Sequence, residues 1–288
     1  MVSRCYIEIT NACNLNCDFC PKHSREKIQM TVGEFQRITD QLQGKASFLY
    51  FHVMGEPLLH PNLCNFITIA NGKGFKTVLT TNGTLLHRSM SILDTHPHKV
   101  QISLHSHEGN ARGELETYIN QIIDFSLKAA SQGTCVVLRL WNKGGRESEN
   151  KDVMRYIESH IPRPWHCRPD GYRLCSNLYL EFDRKFQWPE AATGHDSPPS
   201  AKSEYFCKAL RSQIGILADG SLVPCCLDHD GDIILGNLLH QPLEEILSSP
   251  RARAMTEGFR RHIATERLCE NCESALIGNS FRGKAKKP

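Results

Sequence analysis

Short runs rich in Val, Ile, Phe and Tyr recur along the first two thirds of the chain. They are "CYIEI" (5–9), "FLYFHV" (48–53), "KTVLT" (76–80), "KVQISL" (99–104), "CVVLRL" (135–140) and "NLYLEF" (177–182). Most are short and apolar, the pattern of strands buried on both faces. Between them, apolar positions recur three and four residues apart. In "VGEFQRITDQLQ", Phe35, Ile38 and Leu42 share one helical face, Thr31 stands at the N-cap position and Gly44 follows as a stop. "NLCNFITIANGKG" and "GELETYINQIIDFSLKAASQG" repeat the pattern, and each ends at Gly. About six βα units in series predict an α/β fold, a partial (β/α)6 TIM-like barrel around a parallel sheet.

The pattern changes after "QWPEAATGHDSPPSAKS" (187–203), whose Pro, Ser, Ala and Gly mark a linker or exposed loop. "IGILADGSLVPCC" predicts a β-hairpin turning at Asp219-Gly220, and "LEEILSSPRARAMTEGFRRH" a helix broken at Pro250. The expected division is a barrel over 1–186, the loop at 187–203, a small C-terminal α+β domain over 204–277 and a basic tail at 278–288. No internal repeat is visible.

Composition narrows the function classes. The 288 residues carry a net charge of +3 and a pI near 8.2, and "RGKAKKP" at the end reads as a solvated terminus. Nucleic acid is not implied. No apolar run approaches the ~20 residues that span a bilayer, and "MVSRCYIEIT" has no secretory signal. The expected location is the cytoplasm, where the sequon Asn82-Gly83-Thr84 is uninformative. The 13 cysteines are grouped as C-x3-C, C-x2-C and C-C, which in a reducing compartment favours metal or cluster ligation over disulfides.

The first group, Cys13, Cys17 and Cys20 in "NACNLNCDFCPKH", follows the first strand. It therefore occupies a βα loop, on the barrel face where active sites sit. Thiolates are soft ligands suited to iron–sulfur clusters or zinc. A structural zinc would need a fourth ligand, and His23 is the near candidate. Three thiolates with one position left open suit a catalytic centre better.

C-x3-C-x2-C with an aromatic residue, Phe19, before the last cysteine resembles the signature of the radical SAM superfamily. The resemblance covers nearly the whole chain. It implies a [4Fe-4S] cluster on Cys13, Cys17 and Cys20 whose open iron is chelated by S-adenosylmethionine. One electron into the sulfonium then gives methionine and a 5′-deoxyadenosyl radical, which abstracts a hydrogen atom from substrate. "VMGEPLLHP" after the second strand resembles the family's GGEP motif, with Met54 in place of the first Gly. It implies Met54, Gly55, Glu56 and Pro57 around the methionyl amine. "LTTNGTLL" is similar to a segment lining the nucleoside site and makes Asn82 a candidate contact. Ser103 is in reach of a ribose hydroxyl and Arg139 of the methionyl carboxylate. Both are equally readable as satisfied strand-end residues. His105 and His107, on the same rim, read as surface histidines.

The second group is Cys207, Cys225, Cys226, Cys269 and Cys272, spaced C-x12-G-x4-C around Gly220 and then C-x2-C. It resembles the opening of the SPASM extension, in its shortened Twitch form with one auxiliary cluster. Cys207, Cys225, Cys269 and Cys272 would close that cluster fully, with Cys226 as the alternative to Cys225. A zinc ribbon-like structural site is the other reading of the same spacing. The wide spacing resembles that of the deoxy-scyllo-inosamine dehydrogenase of aminoglycoside biosynthesis and of SPASM-type peptide maturases.

Three functions follow as expectations. The first is a radical dehydrogenase of a small polyol or alcohol, with the auxiliary cluster accepting an electron. The second is a maturase of a ribosomal peptide, performing crosslinking, epimerisation or residue oxidation. An epimerase would draw its hydrogen donor from Cys64, Cys135, Cys167 or Cys175. The third is a zinc-stabilised binding protein. The cluster readings imply a flavodoxin- or ferredoxin-type reductant, and no nucleic acid or membrane partner.

Overall fold

Each expected apolar run becomes a parallel strand: β1 (Arg4–Ile7), β2 (Phe48–Phe51), β3 (Lys76–Thr81), β4 (Lys99–Ser103), β5 (Cys135–Lys143) and, later in the chain, β8 (Leu178–Arg184). The computed structural model describes residues 2–110, 114–144, 147, 150–184, 187–189, 206–270 and 272–277. Most of the loop expected at 187–203, and the whole tail at 278–288, lie outside the described residues. Helices α1 (Val32–Leu42), α2 (Leu63–Gly72), α3 (Leu115–Ser131) and α4 (Asn150–His160) return the chain between strands. The first three stop two residues before Gly44, Gly74 and Gly133. Thr31 caps α1 as expected, in a reciprocal box: its hydroxyl accepts the Glu34 N–H at 3.3 Å, and the Glu34 carboxylate accepts the Thr31 N–H at 2.7 Å.

Two features depart from the pattern. Between α4 and β8 the chain forms an antiparallel hairpin, β6 (His166–Arg168) and β7 (Gly171–Cys175), at the edge of the sheet. At the other edge, β9 (Gln213–Ile216) pairs parallel to β1, followed by antiparallel β10 (Ser221–Val223) and β11 (Gly236–Asn237). The sheet is therefore continuous over eleven strands, in the order β11-β10-β9-β1-β2-β3-β4-β5-β8-β7-β6. Helices α5 (Leu243–Ser248) and α6 (Pro250–Arg260) flank the break expected at Pro250. The short α7 (Arg267–Glu270) and α8 (Glu273–Ile277) follow.

The strands are not apolar on both faces. Cys5, Ile7, Leu49, Phe51, Val100, Ile102, Leu138 and Leu180 point to the helices and are essentially fully buried. The alternate positions carry Tyr6, Tyr50, Thr80, Gln101, Arg139 and Glu181, which line the concave side. Tyr6 and Tyr50, paired in register, stack at 4.7 Å, and the Thr80 hydroxyl donates to the Gln101 side chain at 3.3 Å. A polar interior surface thus runs down the half-barrel beneath the strand C-termini.

Candidate functional site

The cysteine loop leaves β1 and is closed at its base by Asn11. Its Nδ2 donates to the Glu26 carbonyl at 2.7 Å and its Oδ1 accepts the Ile28 N–H at 2.8 Å. Both ring nitrogens of His23 lie against backbone carbonyls, of Asn11 at 3.1 Å and Arg25 at 3.2 Å. His23 is a loop brace, so the near candidate for a fourth zinc ligand is already occupied. Arg25 makes a bidentate ion pair with the fully buried Glu8, at 2.7 and 2.8 Å. Glu8 also accepts the N–H groups of Met54 (3.0 Å) and Ala218 (3.2 Å), and Arg25 reaches the His229 carbonyl. One carboxylate therefore ties the cysteine loop to β1, to the loop after β2 and to the C-terminal hairpin.

Within the loop, Cys13 is exposed and Cys17 and Cys20 are half-buried. The Cys17 sulfur accepts a hydrogen bond from Asn110 Nδ2 at 2.9 Å, and the Cys13 sulfur one from the Leu15 N–H at 3.5 Å. Burial pushes the Cys20 thiol up to about 12, with the nearby Cys17 and Cys13 adding to the rise. Among the described residues no group of three or more His, Cys, Asp or Glu side chains is preassembled to hold a metal ion. The donor set nonetheless fits an iron–sulfur cluster: three soft thiols on one short loop, all raised chiefly by burial, are relieved by a shared cationic centre.

The Met54–Pro57 segment packs directly on this loop. Gly55 has φ +80°, and a Cβ there would meet the Thr10 carbonyl oxygen at 2.3 Å, so only glycine lets the two backbones approach. Met54 contributes its N–H to Glu8 and buries its side chain. Glu56 is buried, donates its N–H to the Ala12 carbonyl at 2.8 Å and caps the short turn that Pro57 opens. Its carboxylate accepts the N–H groups of Asn82 (2.8 Å) and Leu58 (3.1 Å). Burial raises it to about 7, the two N–H groups opposing that rise. Glu56 is thus a brace between the loops after β2 and β3, with the Thr81 side chain as a further hydrogen-bond partner. Asn82 accepts from Thr84 (2.7 Å to the hydroxyl) and donates to Asn14 in the cysteine loop at 3.0 Å.

Ser103 ends β4 and pairs in register with Arg139. The Arg139 guanidinium lies 4.4 Å over the Trp141 ring, and burial lowers it to about 10. Among the described residues no hydrogen-bond partner meets Arg139 Nε, Trp141 Nε1 or His52 Nδ1, all buried. Phe19 packs on His105 at 5.0 Å, and His105 stacks parallel to Trp141 at 6.3 Å. His105 is therefore buried rather than superficial, with Nδ1 3.2 Å from the Arg139 carbonyl. His107 stacks on Tyr118 at 5.1 Å.

In the second set, Gly220 makes the β9–β10 turn with φ +85°, and a Cβ would meet Leu239 at 2.7 Å. Cys207, Cys225, Cys269 and Cys272 pack on the edge of the main core. Burial raises the Cys225 thiol well above its ordinary value, with Cys226, Cys207 and Cys269 adding to the rise. Cys226 stays near Cys225 and Cys272 but turns its side chain to a second apolar cluster. It packs with Val53, Met54, Leu217, Val223, Tyr6 and Cys20, against the first cysteine loop. Four soft thiols suit a fully ligated cluster. Sequence reading missed Glu8, Arg25, Asn110, Tyr6, His52 and Trp141. Glu8 alone carried a signal, a carboxylate inside an otherwise apolar strand run.

A half-open parallel barrel with a three-thiol loop at its strand C-termini is the architecture of a cluster-bearing metalloenzyme. The radical SAM superfamily model matches residues 7–167, more than half of the chain, and the SPASM iron–sulfur cluster-binding domain model matches 207–273. The chain belongs to the radical SAM superfamily, whose cofactors are [4Fe-4S] clusters and S-adenosylmethionine. It is 35% identical over 89 residues to the tungsten-containing aldehyde ferredoxin oxidoreductase cofactor-modifying protein of Pyrococcus furiosus. That match covers 30% of this chain and 25% of the relative's length. In fold it is similar to BtrN in complex with AdoMet and 2-DOIA, with a TM-score of 0.62 and 17% identity over 94% of this chain and 93% of that one. It is also similar to Streptococcus suis SuiB, with a TM-score of 0.62 and 17% identity over 99% and 75%. Among the described residues no helix is long and apolar enough to cross a membrane.

Proposed function

We propose that this radical SAM enzyme oxidises a small polyol or alcohol, binding it in the polar half-barrel and passing one electron to the C-terminal cysteine site. With the cluster and S-adenosylmethionine bound, the chemistry supplied at the first site is a 5′-deoxyadenosyl radical able to take a hydrogen atom from carbon. Cys13, Cys17 and Cys20 would hold that cluster. Glu56, Asn82, Ser103 and Arg139 would surround the methionyl and ribose groups, with Met54, Gly55 and Pro57 shaping the backbone and Phe19 closing the loop.

The observation that carries the reading is the proximity of the two cysteine sets. β9 pairs directly with β1, and Cys226, next to the candidate auxiliary ligand Cys225, shares an apolar cluster with Cys20 of the first loop. A substrate radical left after hydrogen abstraction must lose one proton and one electron to become a carbonyl. A cluster held by Cys207, Cys225, Cys269 and Cys272, beside the β9–β10 edge of the same sheet, would supply the acceptor for that electron. Tyr6, Tyr50, His52, Gln101 and Glu181 line the interior with groups that bind hydroxyls, and the unpartnered polar atoms of His52 and Trp141 suit ligand oxygens. The likeness in fold to BtrN, a structure in complex with AdoMet and 2-DOIA, is compatible with this reading. A flavodoxin- or ferredoxin-type protein would supply the first electron.

The test is anaerobic turnover with a panel of inositols, amino-inositols and sugar alcohols. One 5′-deoxyadenosine is expected per oxidised product. In Cys269→Ala, 5′-deoxyadenosine should still form while oxidised product is lost. Full turnover by that variant discards the acceptor role.

A further inference from the structure

We propose that Asn110 is a positioning residue of the first cysteine site, and that the hydrogen bond it donates to the Cys17 sulfur sets the reduction potential of the cluster those thiolates hold. The inference rests on assigning that cluster to Cys13, Cys17 and Cys20. It lies beyond the SAM contacts of the preceding reading, because Asn110 belongs to the loop that follows β4.

The orientation of the carboxamide is fixed by its neighbours. Oδ1 accepts the Asn16 N–H at 2.8 Å, and Nδ2 faces the Ser106 carbonyl at 2.8 Å and the Cys17 sulfur at 2.9 Å. Rotating the amide by half a turn would set an oxygen against a carbonyl and an NH2 against an N–H. The bonding network therefore assigns the donor to the sulfur. The approach is close throughout: a Cβ on Gly109 would meet Phe19 at 3.0 Å and the Cys17 Cβ at 3.3 Å.

The three sulfurs do not share one environment. Cys13 and Cys17 accept N–H groups, whereas Cys20 packs with Val53, Met54, Leu217 and Val223. An N–H aimed at a thiolate sulfur binds it more strongly when the cluster carries its extra electron. It thus stabilises the reduced state and raises the potential.

The experiment is a redox titration of the loaded protein followed by EPR, comparing wild type with Asn110→Leu, which keeps the bulk and lacks the donor, and Asn110→Gln. At a fixed ambient potential the reduced-to-oxidised ratio of the first site should fall about tenfold in Asn110→Leu, equivalent to about 59 mV for a one-electron couple. Asn110→Gln should recover part of the shift, and the second site, as internal reference, should not move. An unshifted first site in a fully loaded Asn110→Leu protein overturns the proposal. If that variant does not retain the cluster, pulsed EPR of wild-type and Asn110→Gln protein, both carrying amide-15N asparagine, decides. A 15N coupling at the reduced first site that is lost in Asn110→Gln supports the bond, and a spectrum unchanged by the substitution refutes it, because the Asn82 amide also lies against Cys13. Failure of the underlying assignment looks different: Cys17→Ala would then keep its first-site iron.

Discussion

Cys225 and Cys226 share a peptide bond, yet their side chains join different clusters. They lie in the bend and turn that follow β10, where the Asp228 N–H donates to the Cys225 carbonyl at 3.3 Å, and the turn sends the two side chains to different neighbours. Cys225 packs on the main core with Cys207, Cys269 and Cys272, and Cys226 packs on the small apolar cluster that also receives Tyr6 and Cys20. The expected outcome is that Cys226→Ser keeps the second-site iron at the wild-type level while Cys225→Ser loses most of it. Iron and sulfide analysis of anaerobically reconstituted protein checks this, and the reverse result would reassign the ligand. The spacing C-x12-G-x4-C-C left the two positions open because the conformation of the turn that carries them is set by tertiary contacts and not by spacing. Cys13, Cys17 and Cys20 were legible because their spacing is local to one loop. Asn110 was not, since it meets the Cys17 sulfur across 93 positions of sequence.

At the scale of elements, Glu8, directly after β1, links three segments of the chain. Its carboxylate has no exposure and accepts from Arg25, Met54 and Ala218, while Arg25 is only 16% exposed. Removing one partner of such a pair strands the other charge, which typically costs ~3–5 kcal/mol; partial exposure of Arg25 favours the lower end. Glu8→Gln should therefore lower the denaturant midpoint of the loaded protein without changing the transition slope. The double variant Glu8→Gln/Arg25→Met should recover much of the loss, because the uncompensated cation is gone. A single variant as stable as wild type would show that the clasp contributes nothing.

The elements that sequence revealed are those whose burial repeats. The six parallel strands each put apolar side chains on the helix face, and α1 carries Phe35, Ile38 and Leu42 on one stripe with Thr31 and Glu34 at its cap. The β6–β7 hairpin stayed hidden because all three residues of β6 are exposed, leaving only Pro169-Asp170-Gly171 as a turn signal. The polar concave face was obscured for a related reason. Tyr6, Tyr50 and Val137 read as apolar members of their runs, although two of them carry hydroxyls toward the interior.

For the whole molecule, composition suggests a division at 187–203, but hydrogen bonding crosses it. The Arg4 N–H donates to the Ser212 carbonyl at 3.0 Å and the Glu8 N–H to the Ile216 carbonyl at 2.8 Å, so β9 covers what would otherwise be the free edge of β1. Ile214, Ile216, Leu222, Met255 and Phe259 from the C-terminal region are buried in the same core as Cys5 and Ile7. An uncovered parallel edge beside exposed apolar side chains is a template for association with other chains. A chain cut at residue 186 should consequently form soluble aggregates and melt without a cooperative transition, although every strand expected of the half-barrel is present. Size-exclusion chromatography and thermal circular dichroism read this directly. A monomer with a sharp transition would mean that the barrel stands alone and that the β1–β9 pairing only docks the two cysteine sites. Loss of the fold would mean instead that one folding unit holds both sites, so their separation is fixed by the same contacts that stabilise the sheet.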